Sequence, residues 1–173
     1  MLVFGVYRLV AALPVLRWPL AGGLFAIACD LADLFLLYFI GGSWDSQALD
    51  KWFDLFFMAT FLAVALRWPQ PEKGVALALF AFRMVGFTAF EIAHSRPVLM
   101  LFPNVFEFWF MAVAAVHHWQ PGWRFTRVRI AVLVTVVTGA KLAQEYMLHV
   151  GRWFDDVTIM DFVRDVWRTI TPS

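Results

Sequence analysis

The sequence predicts an all-α integral membrane protein: a bundle of about five transmembrane helices with an N-terminal interfacial or re-entrant helix and a C-terminal amphipathic helix. Three observations carry that prediction. The 173 residues are 62% hydrophobic and only 16% charged, whereas soluble domains average roughly 45–50% and ~25%. The apolar residues gather into stretches close to the ~20 residues that a ~30 Å hydrocarbon core requires. Ionisable residues then recur inside those stretches. An acid at membrane depth costs roughly 2.5–3.5 kcal/mol on insertion scales, so its presence marks a functional position.

Residues 1–19 are apolar but short, interrupted by Arg8 and punctuated by Pro14 and Pro19. They lack the charge-first order and the small-residue cleavage site of a signal peptide. An interfacial or re-entrant helix with Arg8 and Arg17 reaching the headgroups is expected, a cramped sixth span being the alternative. The first span covers 19–40 and ends at Gly41-Gly42-Ser43; the second covers 49–68 and stops at Pro69 and Pro71. The third covers 74–93, with Arg83 at its centre and Glu91 near its end. The fourth covers 98–119, interrupted by Pro103-Asn104 and carrying Glu107; Pro103 removes a backbone hydrogen bond and predicts a kink. The fifth covers 127–150 and carries Lys141, Gln144 and Glu145. Over 155–170, Val157, Met160, Val163, Trp167 and Ile170 follow helical spacing opposite Asp161, Arg164, Asp165 and Arg168. That pattern predicts an amphipathic helix lying on the membrane or against a partner.

Basic residues in the short loops set the orientation. Arg8, Arg17, Arg67, Lys73, Arg124, Arg127 and Arg129 fall on one side, and Lys51, Arg96 and Arg152 flank the other. The positive-inside bias predicts a plasma (inner) membrane protein with a cytoplasmic N-terminus and its C-terminal tail outside.

With this topology Asp30, Arg83 and Glu107 lie near mid-membrane, and Asp33, Asp54, Glu91, Lys141 and Glu145 lie in the outer half, with Asp50 at its rim. Asp30 and Asp33 are ~60° apart around a helix, while Asp50 with Asp54 and Lys141 with Glu145 are i,i+4 pairs. Asn104 stands one turn before Glu107, so an amide and a carboxyl project together. Such residues persist in a bilayer by facing the bundle interior, and one acidic chamber in the outer half is the economical arrangement. Seven acids face Arg83 and Lys141 inside and Lys51 at the rim. The excess implies that some carboxyls are protonated or that a cation sits among them. Oxygen ligands select Mg²⁺, Ca²⁺ or Mn²⁺, with Asp30, Asp33, Asp50 and Asp54 as the metal ligands. Glu91, Glu107 and Glu145 are the candidates for proton chemistry. Arg83, Asn104 and Lys141 are the candidates for ligand binding, Arg83 anchoring an anionic headgroup. The competing structural reading is simple pairing, Arg83 with Asp30 or Glu107 and Lys141 with Glu145 or Asp33.

Other motifs point elsewhere. Glu91 and His94 have the Glu-x-x-His spacing of di-iron carboxylate helices, but Glu145 and His149 are one residue too far apart to repeat it. His94 and His149 stand at helix ends, too shallow for a buried bis-histidine haem. His117 and His118, beside Trp119, read as interfacial residues. Thr135, Gly139 and Ala143 form a small-residue stripe suited to close helix contact. The single Cys29 excludes an internal disulfide and a thiolate metal cage. A formal charge of +1 without a basic, aromatic-interleaved tract excludes nucleic acid as the expected partner. Phosphate-cradling glycine loops, Gly-x-Ser-x-Gly and His-Glu-x-x-His are absent.

The resulting expectation is a membrane-embedded enzyme or binding protein holding a divalent cation and a lipid-like or amphipathic ligand. A proton- or cation-coupled transporter using the same carboxylates is the alternative, and a non-catalytic subunit of a larger membrane complex is a third. Membrane lipids are the expected partners, with a second copy of the chain or a complex partner left open.

Overall fold

The computed structural model describes residue 7 and residues 9–40, 47–93 and 101–149; the side chains of 8, 30–40, 47–54, 145 and 147–149 lie outside this description. The described residues are all-helical, without strands. A short 3-10 turn, Leu13–Leu16, precedes five α-helices: α1 Pro19–Ile40, α2 Gln47–Ala65, α3 Glu72–Ala93, α4 Val105–Trp119 and α5 Arg127–His149. The amphipathic tail expected over 155–170 lies outside the described residues.

Local chemistry explains most boundaries. Pro19 opens α1 at a position where its missing N–H costs nothing. α2 tightens at its end, Arg67 N–H and Trp68 N–H reaching back three residues to Val64 and Ala65 carbonyls (2.9 and 3.1 Å), before Pro69 prevents continuation. Glu72 in the first turn of α3 suits the positive end of the helix dipole.

The structure corrects two expectations. The stretch 98–119 does not form one continuous helix: Phe102, Pro103 and Asn104 are non-helical, and α4 begins at Val105. Pro103 cannot donate, and Asn104 takes a non-helical backbone (φ −75°, ψ 67°), so the predicted kink is a full break. The 15 residues of α4 span about 22 Å, short of a full hydrocarbon core. The second correction concerns Thr135, Gly139 and Ala143, which are all exposed, with open space around Gly139, so among the described residues no helix packs against that stripe.

α4 is the hub. Val105, Phe106, Trp109, Phe110, Val113 and Ala114 are all buried on it, alternating three and four residues apart in the pattern of a wide apolar face. The other four helices all pack on α4. Phe61 of α2 stacks on Phe110 (4.1 Å between centroids), and Trp68 stacks on the same ring (5.2 Å). α3 and α4 run antiparallel, with Glu72 opposite His117, Phe80 against Phe106 and Arg83 at Phe102.

The N-terminal segment joins the bundle. Ala11, Ala12 and Val15 are buried, while Tyr7, Val10 and Leu13 face outward. Pro14 turns the chain, its carbonyl accepting from Arg17 and Trp18 N–H groups (3.1 and 2.9 Å), and Gly22 of α1 lets the turn pack against the helix backbone. Arg67 of the α2–α3 loop closes the contact by donating to the Leu16 carbonyl (3.3 Å).

Among the described residues one helix, α3, is long and apolar enough to cross a membrane. The apolar helical segments Pro19–Cys29 and Leu55–Ala65 are shorter.

Candidate functional site

The break before α4 gathers three of the residues expected at a ligand site. Arg83, at the middle of α3, donates from Nη1 to the Phe102 carbonyl (2.8 Å). Pro103 and the start of α4 leave that stretch of backbone without helical partners, and the guanidinium reaches it from the neighbouring helix. The close approach depends on Gly86, one turn beyond Arg83. A Cβ there would lie 2.2 Å from Cβ and 2.6 Å from Cγ of Phe102. The Phe82 ring meets the Phe102 ring at a tilt (4.9 Å between centroids, 42°), so residues before and after Arg83 on α3 both touch Phe102.

Two residues on, the Asn104 amide Nδ2 donates to Glu107 Oε2 (3.2 Å). Glu107 stands in the first turn of α4, where the dipole favours a carboxylate. Asn104 is buried, and its Oδ1 has no hydrogen-bond partner among the described residues, so the site offers a desolvated acceptor. Such an oxygen costs roughly 1–3 kcal/mol unless something donates to it or coordinates it.

Lys141 of α5 is 9% exposed and donates to Gln144 Oε1 (2.8 Å), three residues along its own helix. Its ammonium also lies 5.6 Å from the Phe108 ring of α4, within the range of a cation–π contact. Phe108 follows Glu107, so Lys141 borders the same end of α4. Glu91 lies on the exposed last turn of α3, two turns beyond Arg83. The side chains of Asp30, Asp33, Asp50, Asp54 and Glu145 lie outside the described residues, as does His94. Among the described residues, no three His, Cys, Asp or Glu side chains come together as a metal-binding group.

A second polar cluster, at the opposite end of α3 and α4, was not foreseen. Glu72 is 4% exposed, and its Oε1 lies 3.5 Å from Nε2 of His117, while Oε2 is buried without a partner among the described residues. Trp68 and Phe125 meet the His117 ring edge-on at 5.6 and 5.8 Å. Pro71-Glu72-Lys73 reads in sequence as a solvated turn, and its one usable signal was the acid directly after a proline, a helix-start pattern. We expect Glu72→Met to raise thermal stability by about 1 kcal/mol, because it removes a buried oxygen that no described residue satisfies. Thermal unfolding in detergent checks this; a lower melting temperature would mean that the carboxylate has a stabilising partner such as a bound water.

Comparison with protein-family models, with curated proteins and with solved structures finds no match to this chain. The functional reading therefore rests on chemistry alone.

Proposed function

We propose that this chain is a five-span integral membrane protein that binds an anionic, lipid-like ligand at the break before α4, with a divalent cation held by the aspartates of α1 and α2. The carrying observation is the distribution of polarity. Asn104 and Lys141 are buried, whereas Leu77, Val85 and Ile92 of α3 and Val128, Val132 and Val136 of α5 face outward. A helix surface with valines every fourth residue outward and an amide and an ammonium inward suits a lipid surround, because exposed apolar patches on that scale are disfavoured in water.

The break supports the location. Non-helical backbone at membrane depth is tolerated where it is buried in protein or lines a polar cavity, and such broken helices recur at membrane ligand sites. Arg83 supplies the fixed positive charge, and Asn104 and Glu107 supply an acceptor and a carboxylate within one turn of each other. Asp30, Asp33, Asp50 and Asp54 provide the hard oxygen ligands that Mg²⁺, Ca²⁺ or Mn²⁺ prefers. The charge bias of the loops favours a position toward the non-cytoplasmic side.

The test is elemental analysis of the full chain purified in mild detergent without chelators, beside Asp30→Asn/Asp33→Asn. We expect a stoichiometric divalent metal in the parent and its loss in the variant. Metal-free parent protein sinks the cation site. If that metal-free chain, reconstituted in vesicles, then drives proton-coupled flux, the carboxylates serve transport.

A further inference from the structure

The basic end of the bundle carries a second inference, which rests on the membrane reading above but concerns the opposite face. We propose that it is a docking surface for the phosphate headgroups of anionic phospholipids, centred on Arg124, Arg127 and Arg129 where α5 begins.

A chain of contacts brings the helix ends together there. Arg67 bonds the Leu16 carbonyl, Trp68 meets His117, Glu72 faces His117, and His117 meets Phe125. Arg17, Arg67, Lys73, Arg124, Arg127 and Arg129 therefore share one end, and all but the half-buried Lys73 are exposed. Among the described residues the one acid at that end is Glu72, and its carboxylate is buried against His117 rather than offered to the arginines. Among the described residues the surface is basic and carries no exposed acid to neutralise it.

At the start of α5 a guanidinium of this surface is held by two contacts. The Arg129 guanidinium lies 4.2 Å over the Trp123 ring and donates from Nη1 to the Arg124 carbonyl (3.0 Å). A planar guanidinium held on an aromatic face keeps its remaining N–H groups in a fixed fork suited to phosphate. Arg127 and Arg129 also occupy the first turn of α5, where the helix dipole disfavours cations and favours an anion. A phosphate relieves that conflict. Exposed Trp18, Trp119 and Trp123 at the same end match the aromatic belt of a membrane interface, and Val128, 73% exposed beside the arginines, offers acyl chains an apolar wall. That adjacent apolar surface favours a lipid headgroup over free phosphate.

The experiment is native mass spectrometry of the full chain in mixed micelles of phosphatidylglycerol and phosphatidylcholine. The parent should retain phosphatidylglycerol several-fold over phosphatidylcholine. Arg127→Gln/Arg129→Gln should bring retention to parity at unchanged helix content, and Arg127→Lys should keep most of the preference. Should the double variant misfold, Arg124→Gln and Arg127→Gln singly should each lower it. Parity in the parent, an unchanged preference in the folded variants, or displacement of the lipid by inorganic phosphate would each overturn the proposal. Alkaline carbonate separates the two readings. A chain that carbonate releases from membranes loses both, whereas a resistant chain without lipid preference loses this one alone.

Discussion

Replacing Gly22 by alanine should detach the N-terminal turn and lower stability by about 2–4 kcal/mol. A Cβ at Gly22 would lie 2.4 Å from the Val15 nitrogen, 2.5 Å from the Pro14 carbonyl carbon and 2.7 Å from its oxygen. All three are backbone atoms, so no rotamer change relieves the clash. The Pro14 carbonyl is already fixed by the Arg17 and Trp18 N–H groups, and moving the segment withdraws Ala11, Ala12 and Val15 from the core. Overpacking typically costs ~1–3 kcal/mol, and exposing a buried valine adds roughly 1.5 kcal/mol or more. Gly139→Ala is the natural control. That glycine is helical and exposed with nothing within 4 Å, so alanine there should stabilise by about 0.5–1 kcal/mol through helix propensity. Melting temperatures in detergent should move in opposite directions. In a Cys29→Ser background, maleimide should label a Val15→Cys probe only when Gly22→Ala is also present. A Gly22→Ala protein that melts like the parent would show that the turn does not dock as described.

The contrast between these glycines shows how much of the fold the sequence carried. Hydropathy, proline and glycine together located all five helices, α1 to its last residue before Gly41, because those signals are local. Hydropathy could not distinguish a glycine that admits another backbone from one that faces outward, since both are small residues in an apolar run. The same limit applied at the site. Pro103-Asn104 announced an interruption, and the one-turn spacing of Asn104 and Glu107 announced that their side chains meet. Arg83 also donates to the main-chain carbonyl of Phe102, an acceptor that every residue possesses and that leaves no trace in the sequence. Glu72 and His117 are 45 positions apart in the chain and face each other only because α3 and α4 are antiparallel. Whether the aspartates of α1 and α2 converge depends on helix rotation, which periodicity sets only coarsely.

Arg83→Met should abolish binding of an anionic amphiphile at the break while leaving the fold nearly unchanged. Two effects on stability oppose each other. The variant loses the hydrogen bond to the Phe102 carbonyl, and hydrogen bonds to charged groups contribute roughly 1.5–3 kcal/mol. It also removes a charge from the middle of a 22-residue apolar helix, whose insertion costs about 2.5–3.5 kcal/mol on translocon scales. The two oppose each other, so the melting temperature should fall by less than loss of the hydrogen bond alone would bring. Binding has no such compensation, because methionine offers nothing to a phosphate or carboxylate. A photoreactive dodecyl phosphate, cross-linked to the full chain and mapped by peptide mass spectrometry, should label the segment from Phe102 to Glu107 in the parent. Labelling should fall by about tenfold or more in Arg83→Met, the equivalent of one lost charge-assisted contact. Arg83→Lys should be intermediate, since it keeps the charge without the planar fork that can bond a carbonyl and a ligand together. Mapping separates this site from the basic end, where label would fall between Trp123 and Arg129. Equal labelling of Phe102–Glu107 in parent and Arg83→Met would mean that Arg83 serves only to hold the broken backbone, and the ligand site would have to be sought among the aspartates.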